Sequence, residues 1–226
     1  MRAALSLWRA AALILLCAGS APGHAAVCTW QVNGPGQWNV PANWSGCSGG
    51  EGIPAGTPGN ADDAIVSSAT PLAEIDLGAV ARSVARLNLQ AGRILGNVNL
   101  SVLLQLNWSG GKIEGVSAAS NSLVLPPTAS TSLSGGLHIL RARTWDNQGS
   151  VNWVGGDLRL EADAAVDNRS IFTATPTIGV VLKVESDGSP TVVKPSHRTL
   201  RSVRDDDEAV VVEIGGPGQT FGQWVG

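Results

Sequence analysis

The amino-acid sequence predicts an all-β protein built as a single-stranded parallel β-helix, a solenoid closed at its N-terminal end by a Trp-rich, disulfide-linked cap. Three observations carry that expectation. The phrase Asn-Trp-x-Gly-Gly occurs at residues 107–111 ("NWSGG") and again at 152–156 ("NWVGG"). The pair Asp146-Asn147 returns as Asp167-Asn168, 21 residues later. Between these phrases apolar residues alternate with polar ones, and a period of two marks a strand with one buried face.

The first 26 residues, "MRAALSLWRAAALILLCAGSAPGHAA", read as a secretory signal. Arg2 and Arg9 precede a short apolar run at 10–18, and small residues at 21–26 end in a cleavage site after Ala25 or Ala26. The run is too short and wrongly flanked for a membrane span. A buried N-terminal helix is the bland alternative. A lipoprotein signal at Cys17 is disfavoured by the bulky Leu16 before it.

Without the leader, 15 − 2 = 13 basic residues face 18 acidic ones, a net charge of −5. No basic stripe remains, which argues against a nucleic-acid partner. No later stretch is long or apolar enough to cross a bilayer. About 200 residues suffice for one domain with a real core. Abundant Gly, no Tyr and many Val, Leu, Ser, Thr and Asn suit short strands and turns.

Residues 27–60 form the expected cap, rich in Trp and closed by Cys28 and Cys47. In an oxidising compartment an even pair of cysteines predicts a disulfide, and no metal-ligand partners lie nearby. The coil region is expected over 61–226, less regular after Pro176. Residues 80–87, "VARSVARL", fit either two helical turns or a strand with Val84, Leu87 and Leu89 in the core around an irregular bend. Next, Val98, Leu100, Val102, Leu104, Leu106 and Trp108 alternate as the buried face of one strand. That strand runs into Gly110-Gly111, where double glycine permits a positive φ and a sharp corner.

The phrase then recurs with variations. Leu133 follows Trp108 by 25 residues, and Trp153 follows Leu133 by 20. "WDNQGSVNW" and "VDNRSIFTA" read as two versions of one coil. A period of 20–25 residues is the mark of a solenoid, whose single coils cannot bury their own edges and must stack. Stacking predicts an amide ladder between Asn147 and Asn168, and a similar superposition of Trp108 and Trp153 near their corners. Asn107, Trp108, Gly110, Gly111, Asn147, Asn152, Trp153, Gly155, Gly156 and Asn168 are therefore read as structural repeat positions. The competing reading is a row of exposed Trp rings that grips sugar faces. Trp30, Trp38 and Trp44 are the candidate ligand contacts.

"CTWQVNGPGQWNVPANWSG" followed by "GIPAGTPGNADDAIV" resembles the N-terminal cap of bacterial secreted β-helix proteins of the autotransporter-passenger and haemagglutinin-like type. Trp30, Trp38, Asn43, Trp44, Pro58, Gly59, Asp62 and Asp63 carry the likeness. "LNWSGGKIEG" and "TWDNQGSVNWVGGDLRL" are similar to the coils of the same group. The resemblance implies an adhesin-like scaffold that presents an elongated face to carbohydrate or to a host or cell-surface protein. The stretch at 209–226, "AVVVEIGGPGQTFGQWVG", resembles a strand-turn that in this group leads to further strands. The expectation is a fragment, a truncated gene product or the front of a longer exoprotein.

Candidates for chemistry are few. His24 falls in the leader, and His138 and His197 lack a metal-type spacing. No G-x-S-x-G phrase, phosphate loop or cofactor motif occurs. Adjacent Asp62 and Asp63 would point to opposite faces of a strand, so a turn or strand-start role is expected. Asp205, Asp206, Asp207 and Glu208 offer hard oxygen ligands for Ca²⁺, but lack the glycine of known calcium loops and have Arg201 and Arg204 upstream. A solvated turn is the expectation. Lys112 with Glu114, and Asp157 with Arg159 and Glu161, share one side of a strand at i, i+2 spacing. A β-helix polysaccharide lyase or hydrolase would place charges in this way, and so would any solvent-facing strand. The expectation is a non-enzymatic exported scaffold, secreted or at the cell surface. The alternatives are that carbohydrate-active enzyme and a β-sandwich carbohydrate-binding module. The sequons at Asn43, Asn99, Asn107 and Asn168 matter only in a glycosylating host.

Overall fold

The computed structural model describes residues 25–48, 50–116, 121–174, 182–184, 199–204 and 210–215. The leader up to residue 24, the acidic cluster at 205–208, His197 and the final stretch at 216–226 lie outside the described residues.

The first coil carries β1 (Val27–Trp30) and β2 (Pro35–Gln37), then one 3-10 turn at Pro41–Asn43 and β3 (Trp44–Ser45). Three two-strand coils follow: β4 (Asp63–Val66) with β5 (Glu74–Asp76), β6 (Arg82–Leu89) with β7 (Arg93–Leu95), and β8 (Leu100–Trp108) with β9 (Gly111–Glu114). The later coils have three strands. They are β10 (Ser122–Leu125), β11 (Ser130–Leu133) and β12 (His138–Arg141), then β13 (Thr144–Asn147), β14 (Ser150–Trp153) and β15 (Leu158–Glu161). The last is β16 (Ala165–Asn168), β17 (Phe172–Ala174) and β18 (Leu182–Val184). Together these seven coils form a parallel β-solenoid.

One sheet runs β16-β13-β10-β8-β6-β4-β1-β3, with β11, β14 and β17 branching from β8, and the other runs β18-β15-β12-β9-β7-β5-β2. Within both sheets only β3 is antiparallel, on β1. A separate antiparallel pair is formed by β19 (Thr199–Arg204) with β20 (Val210–Gly215).

The core is built of in-register columns. Ile75, Ile94, Ile113, Leu140 and Leu160 lie one above the next inside the second sheet, all buried. Each such aliphatic side chain contributes about 1.5–3 kcal/mol over leaving it exposed. The stack is what makes this burial possible, since each of these side chains lies in register with one from the neighbouring coil.

The long strands β6 and β8 settle the 80–87 ambiguity in favour of a strand, with Val84, Leu87 and Leu89 fully buried. The irregular bend is a register shift. Val84 pairs with Val102 and Arg86 with Gln105, so Leu103 and Leu104 oppose Ala85 alone. An extra residue kinks the strand. It also swings Leu104 outward to 46 % exposure, correcting its placement among the core residues of an unbroken strand. One coil later the bend becomes a break. Residues 100–101 pair with β10 and 105–108 with β11. Pro126 and Pro127 stand between β10 and β11, and proline cannot donate to a ladder.

The cap is the start of the solenoid rather than a separate lid. β1 pairs in parallel with β4 and β2 with β5, so residues 27–37 supply the first strand of both sheets. β3 then covers the outer edge of β1, while the Asn43 amide donates to Gln37 O at the edge of β2 (2.9 Å). A covered edge cannot recruit another chain. The Cys28–Cys47 disulfide ties β1 to the chain just after β3.

Candidate functional site

Three features compete as the functional site: the Trp-Gly-Gly corners, the cap tryptophans, and the outward faces of the two sheets.

At the corners, Trp108 and Trp153 point inward, and Leu133 is the Cα partner of both. The two rings therefore stand in one column, two coils apart, with Leu133 between them. Each indole N–H donates to the carbonyl of the second glycine of its own phrase: Trp108 Nε1 to Gly111 O at 3.3 Å, and Trp153 Nε1 to Gly156 O at 2.9 Å. Gly111 (φ +87°) and Gly156 (φ +77°) take the left-handed conformation that bends the chain into the next sheet. A Cβ on Gly111 would also press on Gly92 O and the Ala91 backbone of the coil before. The phrase is turn and stacking chemistry.

His138 occupies the position of Gly111 one coil on. Its ring is fully buried, with Nδ1 2.9 Å from Asp157 O and Nε2 2.7 Å from Trp108 O. It meets the Trp108 ring edge-on at 5.5 Å between centroids. His138 joins three successive coils, a role its isolation in the sequence did not signal. Among the described residues no cluster of His, Cys, Asp and Glu is arranged to hold a metal ion.

The ligand-contact expectation for Trp30, Trp38 and Trp44 is corrected by their burial, at 1 %, 0 % and 6 % exposure. Their rings pack edge-to-face at 5.0 and 4.9 Å, and Trp44 Nε1 donates to Trp38 O. Edge-to-face packing inside the cap leaves no open ring face for a sugar. Gly36 is needed beneath them, because a Cβ there would run into the Trp30 ring.

Asp62 and Asp63 do separate onto opposite faces. Asp62 is fully buried and accepts from the backbone N–H of Ala26 (2.8 Å), Glu51 (2.7 Å) and Gly59 (2.8 Å). It locks the cap loop onto the first coil. Asp63 faces out and pairs with Arg86 at 3.1 Å. The sequence placed these residues at a strand start without revealing that Asp62 is a hub.

The outer face of the second sheet carries the clustered charges. Arg93 bonds Glu74 at 2.7 Å and Glu114 at 3.4 Å, Lys112 reaches Glu114 at 3.4 Å, and Arg141 bridges Glu114 and Glu161 at 4.0 and 3.1 Å. Arg159 closes the row on Glu161 at 3.9 Å. The Glu74 hydrogen bond, more than any other neighbour, raises the Arg93 pKa above its ordinary value. Each exposed pair contributes little, about 0–1 kcal/mol. The carboxylates Glu74, Glu114 and Glu161 are engaged by cations from neighbouring coils.

Arg143 is a residue that sequence reasoning missed. It is fully buried at the corner leading into β13. Nη1 donates to Val98 O (2.9 Å) and Ser122 O (3.1 Å), and Nη2 to Gly96 O (2.6 Å) and Glu114 O (3.2 Å). Burial lowers its pKa to about 10, so it stays charged at neutral pH. Five fixed donors let one guanidinium staple carbonyls of successive coils.

The remaining surface is the outward face of β6, β8, β11 and β14. Asn88, Asn107, Ser132 and Asn152 are successive Cα partners along it, and Gln105, Ser130 and Ser150 form a second column. Ser130, Ser150 and Asn152 are exposed and the others half-buried. Beyond the Asp63–Arg86 pair, neither column holds a charge.

No family model, curated protein or solved structure matches this chain.

Proposed function

We propose that this protein is an exported, non-enzymatic β-helix scaffold, secreted or held at the cell surface, that works in the manner of adhesins and presents a long face to carbohydrate or protein partners. One observation carries the reading. The residues best suited to chemistry are engaged in holding coils together: His138 and Arg143 on backbone carbonyls, Asp62 on three backbone N–H groups, Glu114 and Glu161 in an ion-pair row. Among the described residues, what remains available is extended, regular strand surface, which suits display and contact. The leader-like residues 1–26 support export, and the likeness of the cap phrases supports kinship with autotransporter-passenger and haemagglutinin-like chains.

Cell fractionation with intact-mass measurement tests export, and binding of the purified protein to cells and polysaccharides tests contact. A mature protein beginning after Ala25 or Ala26, outside the cytoplasm and adherent to a surface, is the expected result. A cytoplasmic protein with an intact leader, or turnover of a polysaccharide abolished by Glu114→Gln or Glu161→Gln, contradicts it.

A further inference from the structure

The reading above leaves the partner open, and the two outward faces differ in a way that narrows it. On the second sheet, charged side chains satisfy one another across coils. On the face of β8, β11 and β14, the side chains of Gln105, Asn107, Ser130, Ser132, Ser150 and Asn152 make no hydrogen bond to any described residue and carry no charge.

These amides and hydroxyls each offer both donors and acceptors. They stand in register along the solenoid axis, at the strand spacing of about 4.8 Å, in two columns roughly 7 Å apart along the strand. Trp108 and Trp153, next in the chain after Asn107 and Asn152, turn inward and present no aromatic platform beside the columns. A partner that suits it is uncharged, linear and dense in hydroxyl groups. Acidic or basic polymers gain nothing from an uncharged face, and a protein partner would look for an apolar centre that these columns lack.

Resting on the scaffold reading, we infer that the Asn107–Ser132–Asn152 column and the Gln105–Ser130–Ser150 column form a binding surface for a strand of uncharged polysaccharide lying along the solenoid axis. Contact is by repeated hydrogen bonds rather than ring stacking. It therefore strengthens with polymer length and is insensitive to salt, because no ion pair is screened.

The test is affinity electrophoresis of the full chain in gels containing hydroxyethylcellulose, β-1,3-glucan or mannan, with polygalacturonate as the acidic counterpart. The wild-type protein is expected to be retarded by at least one uncharged polymer, equally at low and high salt. Asn107→Ala with Asn152→Ala should weaken that retardation on the order of ten-fold, the effect of losing two polar contacts. Both positions face outward, and an unchanged circular-dichroism melting curve verifies the fold. Arg141→Ala, on the other sheet, should leave binding unchanged. Ser132→Glu, which sets a charge in the middle of the column, supplies a second variant and should likewise weaken retardation.

Retardation that survives both variants overturns the inference, as does retardation by polygalacturonate alone. So does a shift from dimer to monomer in the double variant, which would make the face a contact between copies. Binding to a protein but to no uncharged polymer leaves the scaffold reading standing and removes this inference. Binding to the polymer by a protein that is never exported does the reverse.

Discussion

Asn147 Nδ2 donates to Asn168 Oδ1 across 2.6 Å inside the coil stack, and the two residues are Cα partners in β13 and β16. Each amide also donates to the carbonyl two residues ahead: Asn147 to Gly149 O at 3.0 Å, and Asn168 to Ser170 O at 2.9 Å. The pair thus shapes two successive corners and joins them. In the coil before, Leu125 holds the same column position and Pro126-Pro127 makes the turn.

Replacing Asn147 with leucine leaves Gly149 O and Asn168 Oδ1 without that donor. The expected loss is about 2–4 kcal/mol, as two buried acceptors lose a partner. Asn168→Leu should cost less, roughly 1–3 kcal/mol, because it lies in the last described three-strand coil and is slightly exposed, at 8 %. Thermal unfolding checks both. An unchanged transition in both variants would falsify the internal ladder.

Trp108 and Trp153 separate packing from hydrogen bonding. Trp108 is fully buried against His138 and Trp145, whereas Trp153 is 5 % exposed. Trp108→Ala should cost about 3–5 kcal/mol. Trp153→Phe keeps most of the ring and removes only the bond to Gly156 O, so about 1 kcal/mol is expected. Equal losses would mean that the corner bond, and not the core, dominates.

Asp62→Asn puts an NH₂ group where a carboxylate oxygen now accepts, facing N–H donors. The expected cost is roughly 2–4 kcal/mol, with faster amide hydrogen exchange at Glu51 and Gly59 and little change in β11 to β15. Exchange that rises evenly across the chain would show that Asp62 does not act locally on the cap. Reduction of Cys28–Cys47 should loosen the same region, with a loss of about 3 kcal/mol.

Arg143→Met removes a donor to four carbonyls, and about 2–4 kcal/mol should be lost. The sign of its pH dependence follows from its lowered pKa. The folded-state value of about 10 lies below the ordinary arginine value, so the unfolded chain binds more protons only between the two. Stability attributable to Arg143 is therefore flat at neutral pH and rises with pH only above about 10. A difference between wild type and Arg143→Met that varies between pH 6 and 9 would contradict this, because nothing at Arg143 titrates there.

The sequence made the coil register legible where one residue type fits only one place. The repeated Asp-Asn pair sits in register because a buried amide needs a partner, and the 25- and 20-residue spacings among Trp108, Leu133 and Trp153 are true column spacings. Corners were harder to read. Leu104 alternates perfectly in sequence, yet β8 has one residue more than β6 at the bend, and that mismatch is a property of two coils together. The cap tryptophans look like a sugar platform until β3 folds back on β1. His138 and Arg143 showed no motif, because their partners are backbone carbonyls, and a carbonyl leaves no mark in a sequence.

Disulfide trapping between neighbouring coils tests the stack most directly. Ser132 and Asn152 are Cα partners on the outer face of β11 and β14. Their separation, about 4.8 Å in a parallel ladder, is within disulfide reach. Ser132→Cys with Asn152→Cys should oxidise readily to an intrachain bridge, while Ser130→Cys with Asn152→Cys, two residues out of register, should not. Efficient bridging of the second pair, or none of the first, would contradict the parallel register on which the whole solenoid rests.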